Sequence, residues 1–240
     1  MGKRMKIYIG WDSKQKEASE VCEYSIHKYA RYPVDVVHLK QDELRDNHLY
    51  FRPEGDPAST EFTYTRFLIP YLEDYAGWSV FVDSDFLFRH DITSMLDHIE
   101  NEMISKNRAV YVCKHHEYTP RSDKKFWGQP QLTFPRKNWS SLMVFNNSHP
   151  SCKLLHPLSV SNKSPQWLHR FEWCRDDQIG EIMLLWNWLV GEYEPDVKGI
   201  RGLHFTNGGP WNGVWGQDYE DYWLDMYEEM IGYPFQHIKR

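Results

Sequence analysis

Residues Ser79 to Phe88 read SVFVDSDFLF, and the choice of fold turns on them. Ser79-Val80-Phe81-Val82 has the β-branched and aromatic content of a short strand buried on both faces. Asp83 and Asp85 follow at once, separated by Ser84. Residues two apart in a strand point to the same side, so the two carboxylates are expected to converge at the strand's C-terminal end. Two like charges so close call for compensation, which a divalent cation supplies. The plainer alternative is a polar strand end with solvated aspartates. Phe86-Leu87-Phe88 resume the apolar run and argue against an exposed turn.

Working outward, Lys6 to Ile9 reads as a first strand and Gly10-Trp11-Asp12 as its turn. A helix follows from about Ser13 to Ala30, with Ala18, Val21, Cys22, Ile26 and Tyr29 on one face. Asp12 is either the N-cap of that helix or part of a nucleotide-binding strand-turn-helix edge. Val34 to Leu39 is a second strand. The polar stretch Gln41 to Ser59, with Pro53, Gly55 and Pro57, reads as a loop. The second half of STEFTYTRFLIPYLEDY is helical, burying Phe67, Leu68, Tyr71 and Leu72, with Arg66 at the start of the apolar face and Pro70 capping or kinking it.

Downstream, a helix is expected over Ile92 to Ile104 and a strand over Ala109 to Cys113. Lys114, His115 and His116 stand at that strand's end, followed by a Pro- and Gly-containing connection. Lys137-Asn138-Trp139-Ser140-Ser141 leads into the strand Leu142 to Phe145. Asp176-Asp177-Gln178 opens an amphipathic helix, with carboxylates in its favoured first turn. Trp186 to Val190 reads as a short strand in which Asn187 is a buried polar group satisfied by backbone. Gly202 to Phe205 is a last strand-like piece, running into the turn Thr206 to Trp211. A final helix carries Tyr222, Met226, Tyr227 and Met230. Together these predict a single α/β domain over residues 1–240.

The 11 Trp, 15 Tyr and 12 Phe make the chain aromatic, as sites for ring-shaped ligands often are. A net charge of −6 without a basic run excludes nucleic acid as a partner. The start MGKRMKIYIGWD has too short an apolar run for a signal peptide, and no later segment suits a bilayer span. A cytoplasmic protein is expected, with peripheral membrane contact compatible. Cys22, Cys113, Cys152 and Cys174 are scattered without CxxC spacing and read as reduced thiols.

Four motifs in order, YTRFLIPYL (Tyr64–Leu72), FVDSDFLF, Asp177-Gln178 and HFTNGGPW (His204–Trp211), resemble the GT-A glycosyltransferases. The likeness is greatest to the family-8 type of glycogenin and the bacterial lipopolysaccharide galactosyltransferases. KNWSS and GGPW are shared more closely with a bacterial group of glycosyltransferase-like proteins. The resemblance spans nearly the whole chain. It implies a Rossmann-like domain with a mixed, mostly parallel sheet, and hexosyl transfer with retention from a nucleotide-diphosphate sugar, UDP-linked by family, to a glycan or lipid-linked acceptor. A divalent ion, Mn²⁺ or Mg²⁺, would act as Lewis acid on the diphosphate leaving group.

By that resemblance Asp85 and His204 are metal ligands, and Asp83 ligates the metal or contacts the ribose. Gly10, Trp11 and Asp12 lie near the base, Arg66 near the donor's phosphates or sugar, and Ser84 within the donor site. Asn138, Ser140 and Ser141 lie near the donor sugar. Asp177 holds sugar hydroxyls and Gln178 faces the reacting carbon. Family-8 enzymes carry a diphosphate-binding lysine before the final Pro-Trp. Gly209 stands there in this chain, one residue closer to the histidine, so the N–H groups of Gly208 and Gly209 are expected to form an anion nest instead. Trp211 is either a lid over the site or a core residue. Two readings from other classes remain open at this level: a non-catalytic sugar or nucleotide-sugar binding protein, and a DxD phosphatase, whose motif requires Thr or Val where Leu87 stands.

Overall fold

The computed structural model describes residues 6–53, 55–56, 58–116, 119–121, 135–195 and 197–232, and only the backbone of 98 and 101–105. The connection expected after His116 falls largely outside the described residues. The elements are β1 (Lys6–Gly10), α1 (Lys16–Tyr29), β2 (Asp35–Leu39), α2 (Gln41–Asp46), α3 (Ile69–Leu72), β3 (Trp78–Val82), β4 (Phe86–Phe88), α4 (Ser94–Ser105) and β5 (Val110–Cys113). They continue with β6 (Leu142–Asn146), α5 (Pro157–Asn162), α6 (Pro165–His169), β7 (Ile179–Ile182), β8 (Trp188–Leu189), β9 (Gly202–His204) and α7 (Glu220–Ile231).

A six-stranded sheet has the order β2-β1-β3-β6-β5-β7, and β6 runs opposite to its sheet partners. The sheet is therefore mixed and mostly parallel, as expected. Alternation along each strand feeds two cores. Tyr8, Phe81, Val112 and Met143 pack on one face; Ile9, Val80, Val82, Tyr111 and Val144 pack on the other. A second sheet, β4-β9-β8, closes a third core with Ala18 and Val21 of α1 and Trp223 and Met226 of α7.

Several local expectations are corrected. Strand β3 stops at Val82 as expected, but Asp83-Ser84-Asp85 does not keep the strand's alternation: it is a turn whose Asp83 N–H donates to Ser141 O at 2.9 Å. Phe86 to Phe88 therefore leave for the second sheet instead of prolonging the first. Helix α1 begins at Lys16 with Gln15 in the capping position, so Asp12 is not its N-cap. Part of the polar stretch after Leu39 is α2, whose Leu44 reaches the core. A 3-10 turn over Thr65–Leu68 precedes α3, where Pro70 sits in the first turn, needing no N–H, and Tyr71 and Leu72 are only half-buried.

The helix expected from Asp176 is instead a single 3-10 turn leading into β7, because Ile179 to Ile182 pair in parallel with Val110 to Cys113. Gly180 permits this: a Cβ there would lie 2.2 Å from the Tyr111 ring. The strand expected over Trp186 to Val190 shrinks to Trp188–Leu189. On α7 the buried face is set by Trp223 and Met226, leaving Tyr222 exposed.

Candidate active site

Parallel strands end together, so Gly10, Val82 and Cys113 finish on one edge of the sheet, where β6 begins at Leu142. Asp83 to Asp85 turn away from that edge. Asp85 directly precedes β4, which pairs antiparallel with β9 in a register that sets Phe86 opposite His204. The Phe205 N–H donates to Asp85 O at 2.9 Å, and the Phe86 and His204 rings stack with centroids 4.5 Å apart. This register brings His204 to the aspartates. Donor atoms of Asp83, Asp85 and His204 all lie within 4.8 Å of one another.

The electrostatics of the cluster are set by Arg66. Its buried guanidinium donates from Nη1 to Asp83 Oδ1 at 2.6 Å and to Ser140 O at 2.8 Å, and from Nε to Phe62 O and Thr63 O. It lies over the Phe62 and Phe81 rings, 5.1 and 4.8 Å from their centroids. Burial lowers its basicity, opposed by Asp83 and Asp85, and a guanidinium stays protonated under such a shift.

The residues suit a divalent ion. Asp85 Oδ1 is buried with no hydrogen-bond partner and lies 3.3 Å from His204 Nε2. Oxygen donors with one imidazole match Mn²⁺ or Mg²⁺ better than thiolate-loving zinc. Bound there, such an ion would supply Lewis-acid stabilisation of a leaving phosphate. Two carboxylates and one guanidinium sum to one negative charge, so a divalent ion would leave the site positive.

The cluster opens on a cleft lined by Gln15, Phe62, Arg66, Asn138, His204 and Thr206, among others. Asn138 has left-handed backbone (φ 63°), and its Nδ2 is buried with no hydrogen-bond partner. Ser84 is buried behind the turn, its Oγ without a hydrogen-bond partner. Ser140 Oγ pairs with His169 Nδ1 at 2.9 Å, and Ser141 Oγ donates to Asn138 O at 2.7 Å. A second cleft, sharing Ser59 and Thr60 with the first, includes Asp12. Asp12 accepts from Lys14 N–H and Glu61 N–H, tying the β1 turn to that shared wall, and burial raises its pKa. Trp11 stacks on His38 with centroids 4.9 Å apart. Gly10 leaves room for Phe62, whose ring a Cβ would meet at 2.4 Å.

Two expectations for this region are corrected and one open alternative is decided. The N–H of Gly208 donates to Phe205 O and that of Gly209 to Asn212 Oδ1, so both nest donors are already engaged. Trp211 is docked, not a lid: it is buried against Phe205 and Trp223, with its Nε1–H donating to Gln15 Oε1 at 3.4 Å. Asp177 and Gln178 are not brought to the cluster. They precede β7, so Gln178 is level with Trp78, about 16 Å along the strands from Asp83 at roughly 3.3 Å per residue. Asp177 is exposed and forms a two-point pair with Arg175, at 2.9 Å through each oxygen. Gln178 Oε1 accepts from Arg175 N–H and Ser151 Oγ–H.

Residues that sequence reasoning missed are Gln15, Ser59, Thr60, Phe62 and Thr206 in the cleft, and Asn187 behind it. Asn187 is held by side chains, not backbone: Nδ2 donates to Ser141 Oγ at 2.8 Å, and Oδ1 meets His204 Nδ1 at 2.9 Å. Only its place between two tryptophans marked it in the sequence.

The sheet order and the carboxylate turn at its edge define the GT-A glycosyltransferase fold. The chain superposes on the glycosyltransferase GlyE of Streptococcus pneumoniae with a TM-score of 0.59 at 12% identity, covering 99% of this chain and 66% of that one. With WbbM, a bifunctional glycosyltransferase, the TM-score is 0.57 at 16% identity over 95% of this chain, which spans 50% of WbbM's length. With the galactosyltransferase LgtC, solved with donor and acceptor sugar analogs, it is 0.52 at 10% identity, covering 98% of both chains. At these identities the likeness is one of fold. No protein-family model matches the chain. In sequence it is 39% identical over 233 residues to Protein CDI of Arabidopsis thaliana, covering 95% of this chain and 87% of that protein, and it belongs to the family of Protein CDI. Among the described residues no helix is long and apolar enough to cross a membrane.

Proposed function

We propose that the protein is a metal-dependent glycosyltransferase that moves a sugar from a nucleotide-diphosphate donor, UDP-linked by resemblance, to a glycan or lipid-linked acceptor. The observation that carries this reading is the convergence of Asp83, Asp85 and His204 beside the buried Arg66, at the strand-end edge of a glycosyltransferase fold. In the transfer, the bond from the anomeric carbon to the diphosphate oxygen breaks as an acceptor hydroxyl bonds to that carbon, its proton passing to the leaving diphosphate. Negative charge grows on the leaving diphosphate, where Arg66 and a Mn²⁺ or Mg²⁺ site favour it. Asn138, with its buried unpartnered amide, is the proposed partner of sugar hydroxyls. Hexosyl transfer with retention belongs to the same reading. So does a cytoplasmic setting, which suits four free cysteines.

Thermal unfolding with UDP, GDP and ADP, each with and without Mn²⁺, tests the reading. UDP at a hundredfold excess over its dissociation constant should stabilise by about 2.7 kcal/mol, a rise of roughly 5–10 °C, and only when metal is present. Free UDP should then accumulate from a UDP-sugar. Donor turnover that persists in EDTA or in Asp85→Asn would refute the metal site, and a metal-dependent shift without any turnover would identify a binding protein.

A further inference from the structure

We propose that Asn187 is a positioning residue that sets His204 for metal binding by holding its imidazole in the tautomer protonated at Nδ1. The hydroxyl of Ser141 has a single hydrogen, and it goes to Asn138 O at 2.7 Å. Toward Asn187, Ser141 Oγ is therefore an acceptor, and Asn187 Nδ2 donates to it at 2.8 Å. That fixes the amide: Oδ1 faces His204 Nδ1 at 2.9 Å, and a carbonyl oxygen only accepts. The proton of the neutral imidazole thus sits on Nδ1, and Nε2 carries a lone pair.

Nε2 lies 3.3 Å from Asp85 Oδ1, itself a buried acceptor without a hydrogen-bond partner. Two acceptors facing each other at the wall of the cleft are satisfied together by a cation. The other tautomer would donate Nε2–H to Asp85 and close the pair on itself, engaging both ligands. Asn187 is fully buried between Trp186 and Trp188, so water cannot replace its oxygen at Nδ1. The relay runs from the left-handed Asn138 through Ser141 and Asn187 to His204, joining the start of β6 to β8 and β9. Its consequence for metal rests on the function proposed above; the tautomer does not.

Long-range ¹H–¹⁵N spectra of the metal-free protein at mildly alkaline pH, with the His204 signals assigned by their loss in His204→Gln, read the tautomer directly. The expected result is Nδ1 protonated and Nε2 not. Asn187→Leu should move the proton to Nε2 and weaken Mn²⁺ binding, followed by electron paramagnetic resonance of the free ion, by about 10–100-fold. Asn187→Asp keeps an acceptor at Nδ1 and should keep both the tautomer and most of the affinity. Should Asn187→Leu not fold, Ser141→Ala removes the anchor of the amide and should weaken Mn²⁺ binding in the same direction. Protonated Nε2 in the wild type overturns the proposal, and so does an Asn187→Leu variant that binds Mn²⁺ as the wild type does. Wild-type protein that binds no Mn²⁺ overturns the metal reading itself.

Discussion

His169 shows how the wall behind the cleft couples to pH. Its ring packs edge-on against Phe67, centroids 5.2 Å apart, and its Nδ1 pairs with the hydroxyl of Ser140, whose carbonyl holds Arg66. Burial pushes its pKa down to about 3, and the nearby Arg66 and Arg52 cations push the same way. In the unfolded chain a histidine titrates near 6.5. Between the two values the unfolded chain binds a proton that the folded one refuses. The contribution to stability is therefore complete above about pH 6.5 and is lost as pH falls toward 3, at up to about 1.4 kcal/mol per pH unit. Urea unfolding across this range should show that slope, and His169→Gln should flatten it. Parallel curves for variant and wild type would sink the assignment.

Among the elements, the segment after His204 departs most from the family-8 pattern that the sequence resembles. Gly209 has extended backbone (φ −159°) that any residue adopts, so its conformation does not demand glycine. Contact does: a Cβ would lie 2.3 Å from the Trp211 ring. Because Trp211 also packs on Trp223 of α7 and bonds Gln15 at the cap of α1, it ties the segment after β9 to both helices. Gly209→Val should thus destabilise by about 1–3 kcal/mol, as overpacking in a core does. A urea midpoint equal to the wild type's would mean that Trp211 swings aside freely, and the segment would be a lid after all. A lysine at 209 would meet the same ring, so the cation found there in family-8 enzymes has no room at this position.

For the molecule as a whole, the parallel strands divide the sheet into two ends with different tasks. Gly10, Asp83, Ser141 and Lys114 belong to the site end; Asp177 and Gln178 belong to the other. Asp177 there holds Arg175 at the surface, and that pair lowers its pKa. Asp177→Ala should leave Mn²⁺ affinity, nucleotide affinity and donor turnover at wild-type levels. A large loss of turnover with nucleotide binding intact would place Asp177 on the sugar after all, and would require the β5–β7 pairing to differ.

What the sequence determined by itself is what short windows encode. Continuous apolar runs fit strands buried on both faces, and the 3.6-residue stripes of α1 and α7 specify helices. The carboxylates of Asp83 and Asp85, placed directly after a buried strand, marked the candidate site without any structure. His204 entered only through resemblance, because no local pattern distinguishes a ligand histidine from a core one. What only tertiary structure decided is pairing across the chain. The β4–β9 register delivers His204 to Asp85, the β5–β7 register carries Asp177 away from it, and the Ser141–Asn187–His204 relay joins three distant segments. A one-residue slip would send each side chain to the opposite face, and register is set by the sum of many distant contacts that no window of sequence contains.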